Sequence, residues 1–139
     1  MNQFEAYSLL FTDSLVSNLV ISINRELIID SMKIFGTYNN LLICIVATIA
    51  SIIANSINYF FGRILLNIFY FPENEQAVYA LKQLVHLYLK YSVIILSLVI
   101  VPFWGRFIPL SAGFIKMNFI KVLTISALMK LCYYIYILM

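Results

Sequence analysis

Two charged residues, Arg106 and Glu26, stand beside apolar runs and are the best candidates in this sequence for binding a polar ligand. The guanidinium fork donates two parallel hydrogen bonds, so arginine suits phosphate groups. A charge held inside a bilayer needs a partner or water and therefore indicates a functional site. Two alternatives stay open. Arg106 could have no role beyond capping the backbone carbonyls left open by the break in its segment, and Glu26 could be a loop charge in water.

Two asparagines and a lysine within apolar segments extend this candidate site. Asn55 and Asn58 lie one turn apart in the charge-free run 41–61, where amides either bond between helices or line a polar cavity. Lys130 lies within the last apolar run. It could reach the membrane interface through its flexible stem or point inward to meet Glu26 or Asp13. The predicted polar pathway therefore comprises Glu26, Arg106, Asn55, Asn58 and Lys130.

Enzymatic and metal chemistry are not indicated by the sequence. It contains no H-E-x-x-H, G-x-S-x-G, P-loop or C-x-x-C motif. One histidine, His86, cannot build an ordinary metal cluster, and Cys44 and Cys132 resemble no disulfide framework. We expect no enzyme activity, no cofactor and no metal. The net charge of +3 is scattered singly, so nucleic acid is not an expected partner.

The composition places the chain in a bilayer. It is 63% apolar and 11% charged over 139 residues, whereas soluble domains carry about 25% charged residues. A domain this small has too little interior to bury so much apolar surface. We predict an all-α, multi-pass integral membrane protein with one membrane domain, 1–139. Its expected partners are membrane lipids with anionic or phosphate headgroups, and a homo-oligomer or a partner membrane subunit is left open.

Five segments would position the candidate residues. Segments 39–63 and 119–139 are predicted to span, because about 20 apolar residues cross a bilayer. Segment 74–91 carries apolar residues at three-four spacing, which predicts an amphipathic helix at the interface. Segments 4–36 and 92–117 are each predicted to form a helical hairpin.

Segment 92–117 is apolar but interrupted by Pro102, Gly105, Pro109 and Gly113. Its flanking pieces of about ten residues would each cover half of a 30 Å core. Such irregular backbone is tolerated at depth only where protein or water covers it. A re-entrant hairpin is favoured over a broken spanning helix, because it leaves five basic residues on one side, as the positive-inside rule prefers. These residues are Arg63, Lys82, Lys90, Lys116 and Lys121.

Two motifs resemble those of the DedA (SNARE-associated, VTT-domain) membrane proteins. Residues 47–63, ATIASIIANSINYFFGR, look like the helix that ends in Y-x-x-G-R in that family. Residues 105–119, GRFIPLSAGFIKMNF, are similar to its R-F-x-P and A-G-x-x-x-M signature. The short length looks most like the compact YqaA-type branch. The proline that usually precedes the acidic residue of the first hairpin is replaced here by Asn24.

The resemblance implies two opposed re-entrant hairpins in an inverted repeat, each followed by a spanning helix. Family members move lipids, including polyprenyl-phosphate carriers and phospholipids, and the bacterial inner membrane is the implied location. Arg106 matches the arginine of R-F-x-P, and Glu26 matches the acidic residue of the first hairpin. We expect a transporter-like protein that moves a lipid, a lipid phosphate or a proton-coupled anion through a midplane polar site. The alternative is a small membrane scaffold or accessory subunit without transport activity.

Overall fold

The computed structural model describes residues 2–19, 27–69, 75–101 and 104–139, and these residues confirm an all-helical fold. Glu26 and Pro102 lie outside the described residues. The helices are α1 Gln3–Asn18, α2 Leu27–Phe35, α3 Asn40–Phe69, α4 Glu75–Lys90, α5 Ser92–Ser97, a short 3₁₀ turn Leu98–Ile100, α6 Phe107–Phe114 and α7 Phe119–Leu138.

Two of these helices, α3 and α7, are long and apolar enough to cross a membrane. At about 1.5 Å per residue, α7 measures about 30 Å and α3 about 45 Å. A third crossing would arise only if α4 and α5 formed one span, and the chain bends there by 73°. Isoleucines at four-residue spacing line one exposed face of α3: Ile45, Ile49, Ile53 and Ile57.

Helix α3 continues to Phe69, beyond the predicted end at residue 63. Gly62, next to the predicted end, lies within the helix and allows close packing. A Cβ atom at Gly62 would lie 2.0 Å from the Leu110 carbonyl oxygen of α6. A Cβ atom at Gly113 would likewise lie 2.0 Å from the Tyr59 carbonyl oxygen. Each glycine therefore allows the backbones of α3 and α6 to touch.

The chain is interrupted between α5 and α6, but over a shorter stretch than predicted. The 3₁₀ turn ends at Ile100, and the Gly105 amide donates to the Val101 carbonyl at 2.8 Å. A Cβ atom at Gly105 would lie 2.2 Å from the Val99 carbonyl oxygen, so the turn needs glycine. Pro109 and Gly113 were predicted to belong to the break, yet both lie in α6. Proline is tolerated in a first helical turn because its missing N–H has no partner there.

Two apolar clusters pack at opposite ends of α3. The first joins α3 near Ile43 and Ala47 to the end of α7; the second joins Tyr59 to Val122, near the start of α7. Helices α3 and α7 are therefore antiparallel. Leu10 of α1 belongs to the first cluster, which places α1 along the first half of α3.

Helix α2 is held against α1 through its first turn. The Asp13 carboxylate accepts a hydrogen bond from the Ile28 amide at 3.1 Å. The first amides of a helix have no partner within the helix, and a negative charge is favourable there. Asp13 thus ties the first described turn of α2 to α1.

The close approach of α3 and α6 gives a stability prediction. Gly62→Ala should lower the free energy of unfolding by about 3 kcal/mol, because the new methyl group meets backbone that cannot rotate away. Thermal unfolding in detergent measures the change. Gly36→Asn is the control: nothing lies within 4 Å of a Cβ there, and asparagine tolerates its φ of 63°. Equal stability of wild type and Gly62→Ala would contradict the packing.

Candidate functional site

Buried polar side chains from three helices form one layer between the two apolar clusters. We call it the central polar layer. It comprises Ser14, Ser17 and Asn18 of α1, Ser51, Asn55 and Asn58 of α3, and Ser126 and Lys130 of α7. All eight are buried, and none is more than 8% exposed. The layer lies near mid-length of both α3 and α7.

Helical periodicity places these residues on inward faces. Ser51 and Asn55 are four residues apart on α3, as are Ser126 and Lys130 on α7, and residues with this spacing lie one above the other. The neighbouring residue on the same side of α3, Ala54, is fully buried. Small side chains let helix backbones approach closely, so the polar groups of α1, α3 and α7 are enclosed by neighbouring helices.

Asn58 of the continuous helix α3 binds the end of α1 and the start of α6. Its Nδ2 donates to the Asn18 carbonyl at 2.8 Å and to the Arg106 carbonyl at 3.4 Å. Asn18 is the last residue of α1, and Arg106 is the residue before α6. The C-terminal end of α1 and the start of α6 therefore meet beside the middle of α3.

The half-buried guanidinium of Arg106 points to the end of α1. Its Nη1 donates to the Leu19 carbonyl at 3.4 Å. The last carbonyls of a helix lack partners within the helix, and a cation is favourable at this end of the helix dipole. The guanidinium therefore caps the carbonyl of the residue that follows α1.

Lys130 points inward and does not extend toward an interface. It is 8% exposed, and its Nζ lies 5.3 Å from the ring centroid of Tyr133 and 5.8 Å from that of Tyr134. These distances suit cation–π attraction. The Asn18 Nδ2 lies 3.4 Å from the Tyr134 hydroxyl. Contacts therefore connect Lys130, through Tyr134 and the end of α1, to Arg106.

Four polar atoms in the layer have no hydrogen-bond partner within the described part of the chain. They are Oγ of Ser14, Ser17 and Ser126, and Nδ2 of Asn55. Leaving such atoms unpaired costs about 1–3 kcal/mol each, and native proteins usually satisfy them with water, an ion or a ligand. The Asn55 amide nitrogen can only donate. The layer can therefore donate hydrogen bonds to water or to ligand oxygens.

The structure brings together four of the five residues predicted for the polar pathway: Arg106, Asn55, Asn58 and Lys130. The fifth, Glu26, lies outside the described residues. Sequence reasoning missed the partners on α1, Asn18 and the two serines, as well as Ser126. Ser14 and Ser126 lie four residues before Asn18 and Lys130, respectively, and this spacing was the available signal for these two. In the described ranges, no group of three or more His, Cys, Asp or Glu residues could hold a metal ion.

No family model matches the chain, and no solved structure is similar to it. A protein of Rickettsia prowazekii (strain Madrid E), Uncharacterized protein RP436, is 52% identical over 134 residues. The chain belongs to the same family as this rickettsial protein. The similarity covers 96% of this chain and 95% of the relative, so it includes both long helices and the segments between them.

The double hydrogen bond of Asn58 predicts a loss of stability on truncation. Asn58→Ala leaves two carbonyls short of a donor and should lower the free energy of unfolding by about 1 kcal/mol. Thermal unfolding in detergent is the measurement. Ser56→Ala on the same helix is the control, since its hydroxyl bonds only to the Ile52 carbonyl of its own helix. The bridge would be disproved if both variants unfolded at the wild-type temperature.

Proposed function

We propose that this chain is a multi-pass transporter of the DedA/VTT type in a bacterial inner membrane. It would move a lipid, a lipid phosphate or a proton-coupled anion across the bilayer. The observation that carries the proposal is the position of Arg106, which lies where the end of α1 and the start of α6 meet beside Asn58. A charged residue held between interrupted helices is how many transporters build their sites.

The apolar exterior supports a bilayer location for this site. The outward isoleucines of α3 would face acyl chains, while the amides of Asn55 and Asn58 face inward. In a core about 30 Å thick, the middle of a spanning helix lies at the midplane. With α3 and α7 both spanning, the central polar layer would lie at that depth.

The chemistry of the layer favours an anionic ligand. Arg106 and Lys130 supply cations, and the Asn55 amide supplies a donor that cannot accept. In a medium of low dielectric constant, cations attract a phosphate far more strongly than in water. Glu26, which the sequence predicts as the acidic counterpart, would compete with the ligand for these cations or carry the coupling proton.

The arrangement of the helices supports an inverted repeat. Helices α1 and α2 precede α3, α5 and α6 precede α7, and α3 and α7 run in opposite directions. Two re-entrant pairs would then approach the polar layer from opposite faces of the membrane. Alternating access would follow from moving one pair against the two spanning helices.

The re-entrant arrangement predicts which residues share a membrane side. We expect Glu75→Cys and Asn118→Cys to label from one side and Thr37→Cys from the other, each in a chain whose Cys44 and Cys132 are replaced by serine. Impermeant thiol reagents on oriented vesicles give the readout. Labelling of positions 75 and 118 from opposite sides would show that segment 92–117 crosses the membrane instead.

The proposed role of Arg106 predicts a loss of transport. Arg106→Ala in liposomes should slow the flipping of a fluorescent lipid phosphate, followed by dithionite quenching. Removing one partner of a desolvated charge contact costs about 2 kcal/mol or more, which corresponds to at least about tenfold in rate or affinity. Glu26→Gln should also slow it, because the acid is the expected counterpart.

Arg63→Ala is the matched control, because it makes the same change at an exposed arginine and should keep wild-type flux. Undiminished flux in Arg106→Ala would remove this residue from the mechanism. Wild-type flux equal to that of protein-free liposomes would favour the scaffold alternative. A scaffold should also keep or gain stability on Arg106→Met, as proteins often do when a buried charge is replaced by a well-packed apolar residue.

A further inference from the structure

A second feature lies away from the central polar layer, at the far end of α3. A cavity of about 370 Å³ separates α4 from α3 and α6. We call it the α4 cleft. Leu81 and Val85 of α4, one turn apart, form one wall, and Leu66 and Phe114 form the opposite wall. The volume lies in the range of ordinary ligand sites, about 300–1,000 Å³.

Asn67 and Lys116 are the polar residues among the described ones that line the α4 cleft. Both are exposed, whereas Leu81, Val85 and Phe114 are half-buried. Toward the protein interior, the Tyr88 hydroxyl lies 2.9 Å from the Ser111 hydroxyl and fastens α4 to α6. The cleft therefore has an apolar interior and a basic rim, which matches the division of a phospholipid into acyl chain and phosphate.

Lys116 occupies a backbone conformation that favours glycine. Its φ is 61°, and it follows α6 in a Schellman arrangement: its amide donates to the Gly113 carbonyl at 3.1 Å, and the Met117 amide donates to the Ala112 carbonyl at 3.0 Å. Glycine is the usual residue at this position because a side chain is strained there. Backbone strain of this kind is concentrated at functional sites. A lysine at this strained position therefore indicates a role for its ammonium group.

The surroundings of the cleft are basic. Lys82 is exposed beside Leu81, and Arg63 is exposed on the turn of α3 before Leu66. Near the start of α7, Lys121 donates to the Ser92 hydroxyl at 2.8 Å. This end of the molecule would attract anionic headgroups, because basic residues near a membrane surface favour anionic lipid.

A cavity of similar size at the opposite end provides a contrast. It measures about 350 Å³ and lies between the start of α3 and the end of α7, near Leu41, Ile45 and Ile135. The described residues that line it include no lysine or arginine. Both ends of the molecule therefore have an apolar cavity, and the α4 cleft differs by the lysine at its rim.

We propose that the α4 cleft binds an anionic phospholipid of the adjacent leaflet. An acyl chain lies against Leu81, Val85 and Phe114, and the phosphate lies against the Lys116 ammonium. The bound lipid fills the space between α4 and α6 and stabilises α4 against the rest of the fold. This site is separate from the polar layer, so its occupancy does not depend on transport.

Lipid titration of the purified full chain in neutral detergent tests the proposal through thermal unfolding. Phosphatidylglycerol should bind more tightly than phosphatidylcholine by about fivefold, the factor expected for one basic contact with an anionic headgroup. Lys116→Gln should abolish that preference. Lys116→Gly should also abolish it while raising the unfolding temperature of the lipid-free protein, because glycine relieves the positive φ.

Two further variants locate the site. Lys33→Gln removes an equal charge at the opposite end of the molecule, where Lys33 donates to the Ile137 carbonyl near the end of α7, and should keep the wild-type preference. Leu81→Trp fills the cleft and should weaken binding of both lipids. The proposal is overturned by equal affinities of wild type for the two lipids, by loss of preference in Lys33→Gln, or by unchanged binding in Leu81→Trp. A response to inorganic phosphate alone as large as that to phosphatidylglycerol also overturns it, since the acyl chain would then be irrelevant.

Discussion

The bridge made by the Asn58 amide is the interaction on which the rest of the arrangement depends. A helix that stops inside an apolar environment leaves carbonyl groups that water cannot reach, and these must be satisfied by the protein. Here α1 stops beside the middle of α3, and α6 starts there. Asn58, on the continuous helix α3, donates to a carbonyl of each. Arg106 adds a second donor to the end of α1. The carbonyls of Asn18, Leu19 and Arg106 thus have donors where the interrupted helices meet.

The remaining packing follows from α3 as a common axis. Its first half packs with α1 and the end of α7, and its second half packs with α6 and the start of α7. Close approach is possible because the contact positions are small: Ala54 beside the polar layer, and Gly62 and Gly113 where α3 meets α6. In a bilayer, burying apolar side chains between helices gives little free energy, because lipid is equally apolar. Helix association therefore depends on close packing and on interhelical hydrogen bonds. Polar groups inside and isoleucines outside are the expected result.

Two polar features of different kind emerge from this architecture. The central polar layer is buried, supported by several helices and rich in donors, which suits a ligand that enters and leaves. The α4 cleft lies at one end, has apolar walls and has the Lys116 side chain at its rim. The second feature suits a resident lipid. Both favour anionic groups, and the basic residues clustered at the same end of the molecule would raise the local concentration of such lipids.

The sequence by itself determined the features that depend on local chemistry. Long apolar runs predicted the two long apolar helices, and the glycine at 105 predicted an interruption, because hydropathy and backbone freedom depend on the type of each residue. Only the tertiary structure decided the features that depend on which faces meet. Glycine and proline usually interrupt helices, yet Gly62 lies within α3, and Pro109 and Gly113 lie within α6. The two glycines allow the backbones of α3 and α6 to touch, and the proline is tolerated because it lies in a first helical turn. The serines of the polar layer gave no signal of their own, because a hydroxyl in an apolar helix acquires a role only when packing buries its face.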